Sequence, residues 1–328
     1  MKLAVGFILF EDATAKYLAD FLPSLYQALG FLQPDKYQVY AIDNSRTGNE
    51  ENFQILSEFQ KKLLQPLRNG SGINYQRVGK NIGFSRAYNL MLRLAAAIES
   101  EYFLIINPDT QLDSDSIRQL ILALDSDGSF GSAAPKILHW DYKNRQQTKI
   151  IDSLGIVLGP GLRFYDLNQG LVDQASAGTT QILGPSGAAG LYRMSALKEI
   201  ATRNYVTGQV DFFDEHFFMY KEDCDLAYRL FLAGYRSALV LEAIIYHDRT
   251  AGSSGRGFLS IFKDHQSKSR LVKAWSLRNQ LYIYRKYWSK QNFFNKLAIL
   301  RRAFMYFISY LILDKYLLKE FQEIWRRR

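Results

Sequence analysis

The stretch LIINPDT, residues 104–110, carries apolar residues straight into Asn107-Pro108-Asp109. With Glu101, Tyr102 and Phe103 ahead of it, it reads as a continuously apolar strand of the kind buried on both faces in a parallel sheet. Its polar end sets the functional question. In open α/β sheets ligands bind beyond the carboxyl ends of the strands. A carboxylate at that place suits a divalent cation, but the residue two before Asp109 is the amide Asn107, so half the charge of a paired-carboxylate site is absent.

Outward from this strand the pattern repeats. KLAVGFILF (2–10), YQVYAIDNS (37–45) and GINYQRV (72–78) read as strands. Helical segments are expected at 14–30, closed by Gly30, and at 49–65. A third, at 85–98, carries a Tyr88, Met91, Leu92 and Ala95 stripe. Alternating strands and helices predict βαβ units in an α/β fold: a mostly parallel central sheet flanked by helices. Asp43, Asn81 and Asn107-Pro108-Asp109 all fall at or just after strand ends, within reach of one crevice. Residues 135–185, rich in Gly, Asn and Gln, read as less regular. SALVLEAIIYH (237–247) reads as a strand and RTAGSSGRG (249–257) as a flexible loop.

The chain has 328 residues, 48% of them hydrophobic, enough for one large domain or a domain with an appendage, and too apolar for disorder. Its single cysteine excludes a disulfide framework and a thiolate metal cluster. The N-terminus lacks the basic region and small-residue cleavage site of a signal peptide and reads as the first strand. The longest late apolar run, AFMYFISYLIL (303–313), falls short of the roughly 20 residues that cross a bilayer. Charge is uneven: residues 261–328 hold 16 Lys/Arg against 4 Asp/Glu, net +12, whereas residues 1–260 hold 25 against 28, net −3.

The densest polar segment is DEHFFMYKEDCDLAYRLFLAGYR, 214–236. Glu222, Asp223 and Asp225 precede Leu226, Leu230 and Ala233, with Gly234 as the C-terminal stop of a helix. Asp225 and Arg229 are spaced to pair on the helix surface. Asp223 shares the side of Leu226 and Leu230, so it faces inward at a helix N-terminus, where the dipole favours negative charge. That is what a general base requires; the alternative is acidic residues that only complement the dipole. Cys224 reads as a small buried side chain.

Taken together, several motifs resemble the family-2 glycosyltransferases, nearest the bacterial rhamnosyltransferase-like branch. They are D-N-S (43–45), N-I-G-F-S-R-A-Y-N (81–89), N-P-D-T (107–110), Gly187-Ala188 followed by Arg193, and the F-D-E to G-Y run ending in a strand with His247. S-L-R-N (276–279) resembles a segment these enzymes carry further on. The resemblance implies a GT-A fold and transfer of a sugar, rhamnose by the branch, from a nucleotide diphosphate sugar of UDP or dTDP type with inversion at the anomeric carbon. It implies that Asp43 accepts the base N3–H and that Asn81 and Gly83 line the donor cleft beside Asn107. Asp109 would hold a divalent cation, Mg or Mn, on the diphosphate, with His247 as a second metal ligand or a structural histidine. Asp223 would be the catalytic base, with Gly187, Ala188, Asp214 and Glu222 on the acceptor side. Arg86 stands where the family has a small residue, and reads either as a phosphate contact or as a solvated helix-face charge. Glu11 stands where the first strand of the family ends in Asn.

The basic tail also carries 15 of the 47 aromatics. Nucleic acid would want similar residues, but bases with aromatics on helices fit an anionic membrane surface better, and no nucleic-acid partner is expected; the alternative is that the aromatics pack against the catalytic domain while the charges face water. The sequence thus predicts a GT-A catalytic domain over 1–260, with a nucleotide-sugar half at about 1–112 and an acceptor half at about 113–260. A helical extension over 261–328 completes it. The expected protein lies peripherally on the cytoplasmic face of a bacterial membrane and glycosylates a saccharide or lipid-linked acceptor in cell-surface polysaccharide synthesis. A sugar-nucleotide pyrophosphorylase would need a glycine-rich loop that FILFEDATAK lacks. A catalytically silent binding module would be marked by loss of Asp109 or Asp223, and both are present.

Overall fold

The computed structural model describes residues 2–48, 50–64, 72–174, 181–204, 208–249 and 269–326. The first third alternates as the sequence predicts: β1 (Leu3–Leu9), α1 (Glu11–Ala15), α2 (Leu18–Leu29), β2 (Tyr37–Asp43), α3 (Glu51–Leu64), β3 (Ile73–Arg77), α4 (Phe84–Ala97) and β4 (Tyr102–Ile106). The helix expected at 14–30 is in fact two, broken between Ala15 and Leu18. Next come β5 (Thr110–Leu112), α5 (Ser116–Ser126), β6 (Phe130–Asp141), β7 (Gln146–Ser153), β8 (Ile156–Gly159) and β9 (Arg163–Asp166). They are followed by β10 (Ala189–Arg193), α6 (Met194–Ile200), β11 (Thr202–Arg203), β12 (Val210–Asp211), α7 (Glu222–Leu232) and β13 (Arg236–His247). Three helices end the chain: α8 (Arg270–Tyr287), α9 (Phe293–Leu313) and α10 (Leu318–Arg326).

The main sheet runs β3-β2-β1-β4-β10-β6-β13-β5, with β7 added beside β6. Six of its nine strands (β1, β2, β3, β4, β6 and β13) point one way, and β10, β5 and β7 are opposed. Helices α2, α3 and α5 cover one face through Leu22, Leu56 and Leu120, and α4, α6 and α7 cover the other through Met91, Leu197 and Leu226. All five residues of β4 are buried, as an apolar strand between two helical layers must be.

One expectation fails in the middle. Residues 135–185 contain the β6–β7 hairpin and the β8–β9 ribbon, not irregular chain. β7 shows Gln146, Gln147, Lys149 and Ile150 to solvent, and its other edge meets only residues 170–173 (Ile151 N–H to Leu171 O, 2.8 Å), so it lacks the apolar signature of a central strand. The hairpin turn is made by Asp141, whose Oδ1 accepts the Asn144 N–H (3.0 Å). Of the loop expected at 249–257, only Arg249 lies within the described residues.

Candidate active site

A cleft of about 530 Å³ opens beyond the carboxyl ends of β1, β2 and β4. That volume suits a nucleotide-sugar-sized ligand, since small-molecule sites run about 300–1,000 Å³. Nine of the twelve residues singled out from the sequence line it: Asn81, Gly83, Asn107, Asp109, Gly187, Ala188, Glu222, Asp223 and His247.

The corner after β4 is fixed by its backbone. Asn107 N–H donates to Ala188 O (2.8 Å), Thr110 Oγ1 donates to Asn107 O (2.7 Å), and Asp248 N–H donates to Asp109 O (2.9 Å). This leaves the Asp109 side chain at the cleft. Its Oδ1 is buried without a hydrogen-bond partner and lies 3.3 Å from His247 Nε2. His247 ends β13, and its Nδ1 lies 2.8 Å from Asp152 Oδ2 on β7. Arg249 then bridges Asp152 Oδ1 (3.0 Å) and Asp166 Oδ2 (3.1 Å). Burial disfavours the charged imidazole, but Asp109 and Asp152 outweigh it and push His247 up to about 10. Burial likewise opposes ionisation of Asp152, yet His247 and Arg249 hold it at about 2. Asp152, Asp166 and Arg249 all line the cleft and were not found from the sequence; two of them sit on short polar strands with no motif around them.

On the opposite wall, Asp223 stands in the first turn of α7. Its Oδ2 accepts the Gly187 N–H (2.9 Å) and its Oδ1 accepts the Cys224 N–H (2.7 Å), so both oxygens are oriented while each keeps acceptor capacity. A Cβ at Gly187 would stand 3.3 Å from Asp223 Oδ2, so glycine lets the backbone reach the carboxylate. Glu222 beside it is buried, with Oε2 unpartnered. Burial, and then the Asp223 charge, push the Glu222 carboxyl well above the usual range. Glu222 is thereby biased toward its protonated form. Tyr220 (φ 73°) and Lys221 (φ 72°) lead into α7 in the left-handed region, strain of the sort concentrated at functional sites.

The Asn81–Gly83 loop is locked onto this wall. Gly83 has φ 83°, and a Cβ there would meet Phe218 O at 2.4 Å, so only glycine fits. Phe84 N–H donates to Phe218 O (2.8 Å), and Asn81 Oδ1 accepts the Gly83 N–H (2.9 Å).

Three predicted residues do not line the cleft. Asp43 is fully buried and accepts the Ser45 N–H (2.8 Å) and the Tyr75 O–H (2.8 Å); its neighbour Asn44 is the β2-end residue on the cleft. The base contact implied for Asp43 therefore finds no exposed carboxylate. Arg86 is a largely exposed helix-face charge paired with Glu215 (3.1 Å), not a cleft cation. Asp214 is turned toward α8, accepting Lys286 Nζ (2.6 Å) and Tyr282 O–H (3.1 Å) and facing His216. Burial opposes its charge, but His216 and Lys286 hold its carboxyl well below the usual range.

The Asp225–Arg229 pair (3.0 Å) is likewise buried and not on the surface, because α8 covers it: Lys286 Nζ (2.7 Å) and Tyr287 O–H (2.7 Å) also reach Asp225 Oδ1. Cys224 is buried as expected. The S-L-R-N segment has a structural task. Asn279 Nδ2 donates to Met219 O (2.8 Å) and Tyr220 O (2.7 Å), holding the strained approach to α7, and Ser276 lines the cleft.

A mostly parallel sheet with a carboxylate after its fourth strand and a second carboxylate across the cleft defines a GT-A glycosyltransferase. Residues 9–201 match the family described as Glycosyl transferase family 2. The chain belongs to that family, and it is a glycosyltransferase. It is 28% identical over 232 residues to N-acetylglucosaminyl-diphospho-decaprenol L-rhamnosyltransferase of Mycobacterium tuberculosis, covering 62% of this chain and 71% of that one. Among solved structures, GalNAc-T7 with UDP, GalNAc and Mn2+ superposes with a TM-score of 0.55 at 13% identity over 88% of this chain. S. aureus TarS gives 0.50 at 15% identity over 87%. The chain spans 49% and 43% of those two solved chains, and their likeness is one of fold.

Proposed function

We propose that this protein transfers a sugar, rhamnose first among candidates, from a nucleoside diphosphate donor to a lipid-linked saccharide with inversion at the anomeric carbon. The observation that carries this reading is Asp223, oriented by two backbone N–H groups across one cleft from Asp109. The name of the mycobacterial relative supports a rhamnosyl donor and a diphospholipid acceptor.

In this reading Asp223 takes the proton of the acceptor hydroxyl. The hydroxyl oxygen bonds to the anomeric carbon from the face opposite the donor phosphate, and the bond from that carbon to the phosphate oxygen breaks. Glu222, kept protonated, donates a hydrogen bond on the acceptor side. Asn81, Asn44 and Asn107 line the donor side without adding charge that would repel a diphosphate.

The residues present fit a divalent cation. Asp109 Oδ1 is a buried carboxylate oxygen whose close neighbour is His247 Nε2 (3.3 Å), and Asp152 holds the far nitrogen of His247, so a cation binding between them would displace the Nε2 proton. Asp109 and His247 would hold the ion, which would stabilise charge on the departing diphosphate. Among the described residues no group of three or more His, Cys, Asp or Glu is arranged for a metal; donor phosphates and water would complete the set.

Location at a membrane surface, on the cytoplasmic face, belongs to the same proposal. Among the described residues no helix is long and apolar enough to cross a membrane. Helix α9 nevertheless exposes Phe293, Phe294, Leu297, Leu300, Phe304 and Ile312. A surface-lying helix carries such a face.

Two variants test the site. Asp223→Asn should lower kcat by about 10²–10⁴-fold with donor affinity retained, and unchanged turnover would remove the base. Asp109→Ala should abolish the gain in donor affinity on adding Mn²⁺, measured by calorimetry; a wild-type affinity indifferent to metal would remove the cation.

A further inference from the structure

A second, smaller cavity adjoins the cleft and shares Phe164, Lys221 and Ser276 with it. Arg163 of β9, Leu277 and Gln280 of α8, and Arg302, Tyr306 and Tyr310 of α9 complete its wall. Its volume is about 170 Å³. That is too small for a nucleotide sugar, whose pockets run about 300–1,000 Å³. It is lined by three cations and no acid.

The three cations are uncommitted. Among the described residues none of Arg163, Lys221 and Arg302 forms an ion pair. Arg163 and Lys221 lie over the rings of Tyr165 (5.2 Å) and Phe164 (5.9 Å). Arg302 has only a long bond from Nη2 to Pro160 O (3.4 Å), and its Nε is buried with no acceptor at all. A buried guanidinium donor without an acceptor is costly unless a ligand supplies one. Guanidinium forks match phosphate oxygens in pairs, and an ammonium adds a point charge beside them.

The position of the cavity narrows the ligand. Lys221 is two residues ahead of Asp223, so the cavity lies beside the acceptor end of the cleft, whereas Asp109 marks the donor end. Helix α9 contributes Arg302, Tyr306 and Tyr310 to the wall, while Leu297, Leu300, Phe304 and Ile312 of the same helix are exposed. We infer that Arg163, Lys221 and Arg302 hold the diphosphate of a lipid-linked acceptor, with its sugar at Asp223 and its hydrocarbon chain along α9. The inference rests on the proposed lipid-linked acceptor and adds the site that recognises it. The sugar fills the cleft, the diphosphate the basic cavity, and the chain follows the apolar face.

Titration calorimetry of the full chain with farnesyl diphosphate in metal-free buffer reads the cavity without any turnover. Arg163→Gln/Arg302→Gln should raise Kd about tenfold or more, the loss of at least one charge-assisted hydrogen bond. Asp109→Ala, at the donor end, should leave Kd as it is. The exposed single variant Arg163→Gln should move Kd in the same direction by less, and covers the case in which the double variant loses its fold. An unchanged Kd in the arginine variants, or an equal loss in Asp109→Ala, overturns the assignment. Inorganic pyrophosphate binding as tightly as farnesyl diphosphate overturns the lipid-linked part. Displacement of farnesyl diphosphate by phosphatidylglycerol vesicles assigns the cations to membrane headgroups and also overturns it. Arginine-dependent binding in a protein that glycosylates no acceptor upholds the cavity and fails the proposed function instead.

Discussion

Helices α8 and α9 follow one another in the chain and draw on the same basic and aromatic residues. Yet α8 buries Ala274, Leu277, Asn279, Gln280, Leu281, Ile283, Tyr284 and Tyr287, whereas α9 buries only Ile299. The difference lies in partners rather than composition. Polar side chains of α8 meet matching groups on the catalytic body: Asn279 the Met219 and Tyr220 carbonyls, Gln280 the Leu162 carbonyl, and Lys286 both Asp214 and Asp225. Helix α9 touches the body along Ile299, Ala303, Tyr306 and Tyr310 and leaves its larger apolar face uncovered. One helix completes the enzyme; the other presents a surface.

That contrast can be broken most forcefully at Asp225. Asp225→Ala leaves Arg229 and Lys286 facing a buried gap, and loss of one partner of a buried charge cluster typically costs about 3–5 kcal/mol. Denaturant unfolding should show it, and a loss below about 1 kcal/mol would mean that α8 is only loosely attached. Asn279→Ala comes next. It removes both donors to the approach to α7, so kcat should fall by about 10²-fold, as misplacement from outside the chemistry can cause. The Kd of the donor, read by calorimetry, should stay within about twofold, because the donor end of the cleft does not touch Asn279. Smallest in stability terms is Phe304→Gln/Ile312→Gln on α9. The change in unfolding free energy should stay within about 0.5 kcal/mol, while partitioning to anionic vesicles weakens by roughly 1.5–3 kcal/mol per side chain that had entered the membrane. A matching fall in stability would make α9 a packing helix like α8.

The sequence carried the βαβ half and the β4 corner clearly, because an apolar strand ending in Asn-Pro-Asp and a helix opening on Glu-Asp-Cys-Asp are local patterns. It carried the β6–β7 hairpin poorly, since the first half of β7 lies largely in solvent and gives no period to read. Asp152 and Asp166 were missed for the same reason: their meaning comes from His247 and Arg249, which lie more than eighty positions away. Asp43 and Asp214 were assigned to ligands by motif, and the structure gives both protein partners instead. For Asp214 the decisive partner, Lys286, stands in a segment whose charges the composition placed at a membrane surface or in water, not against a buried acid.

Asn279 lies 60 positions after Met219, and Tyr287 lies 62 after Asp225. A chain emerging from the ribosome therefore exposes α7 and its acidic residues well before the side chains that fix them exist. Asp223 waits for the later arrival of α8, so the cleft gains its full geometry only after residues some sixty positions further on have been made. A product released early would hold the donor-side sheet but not a finished site.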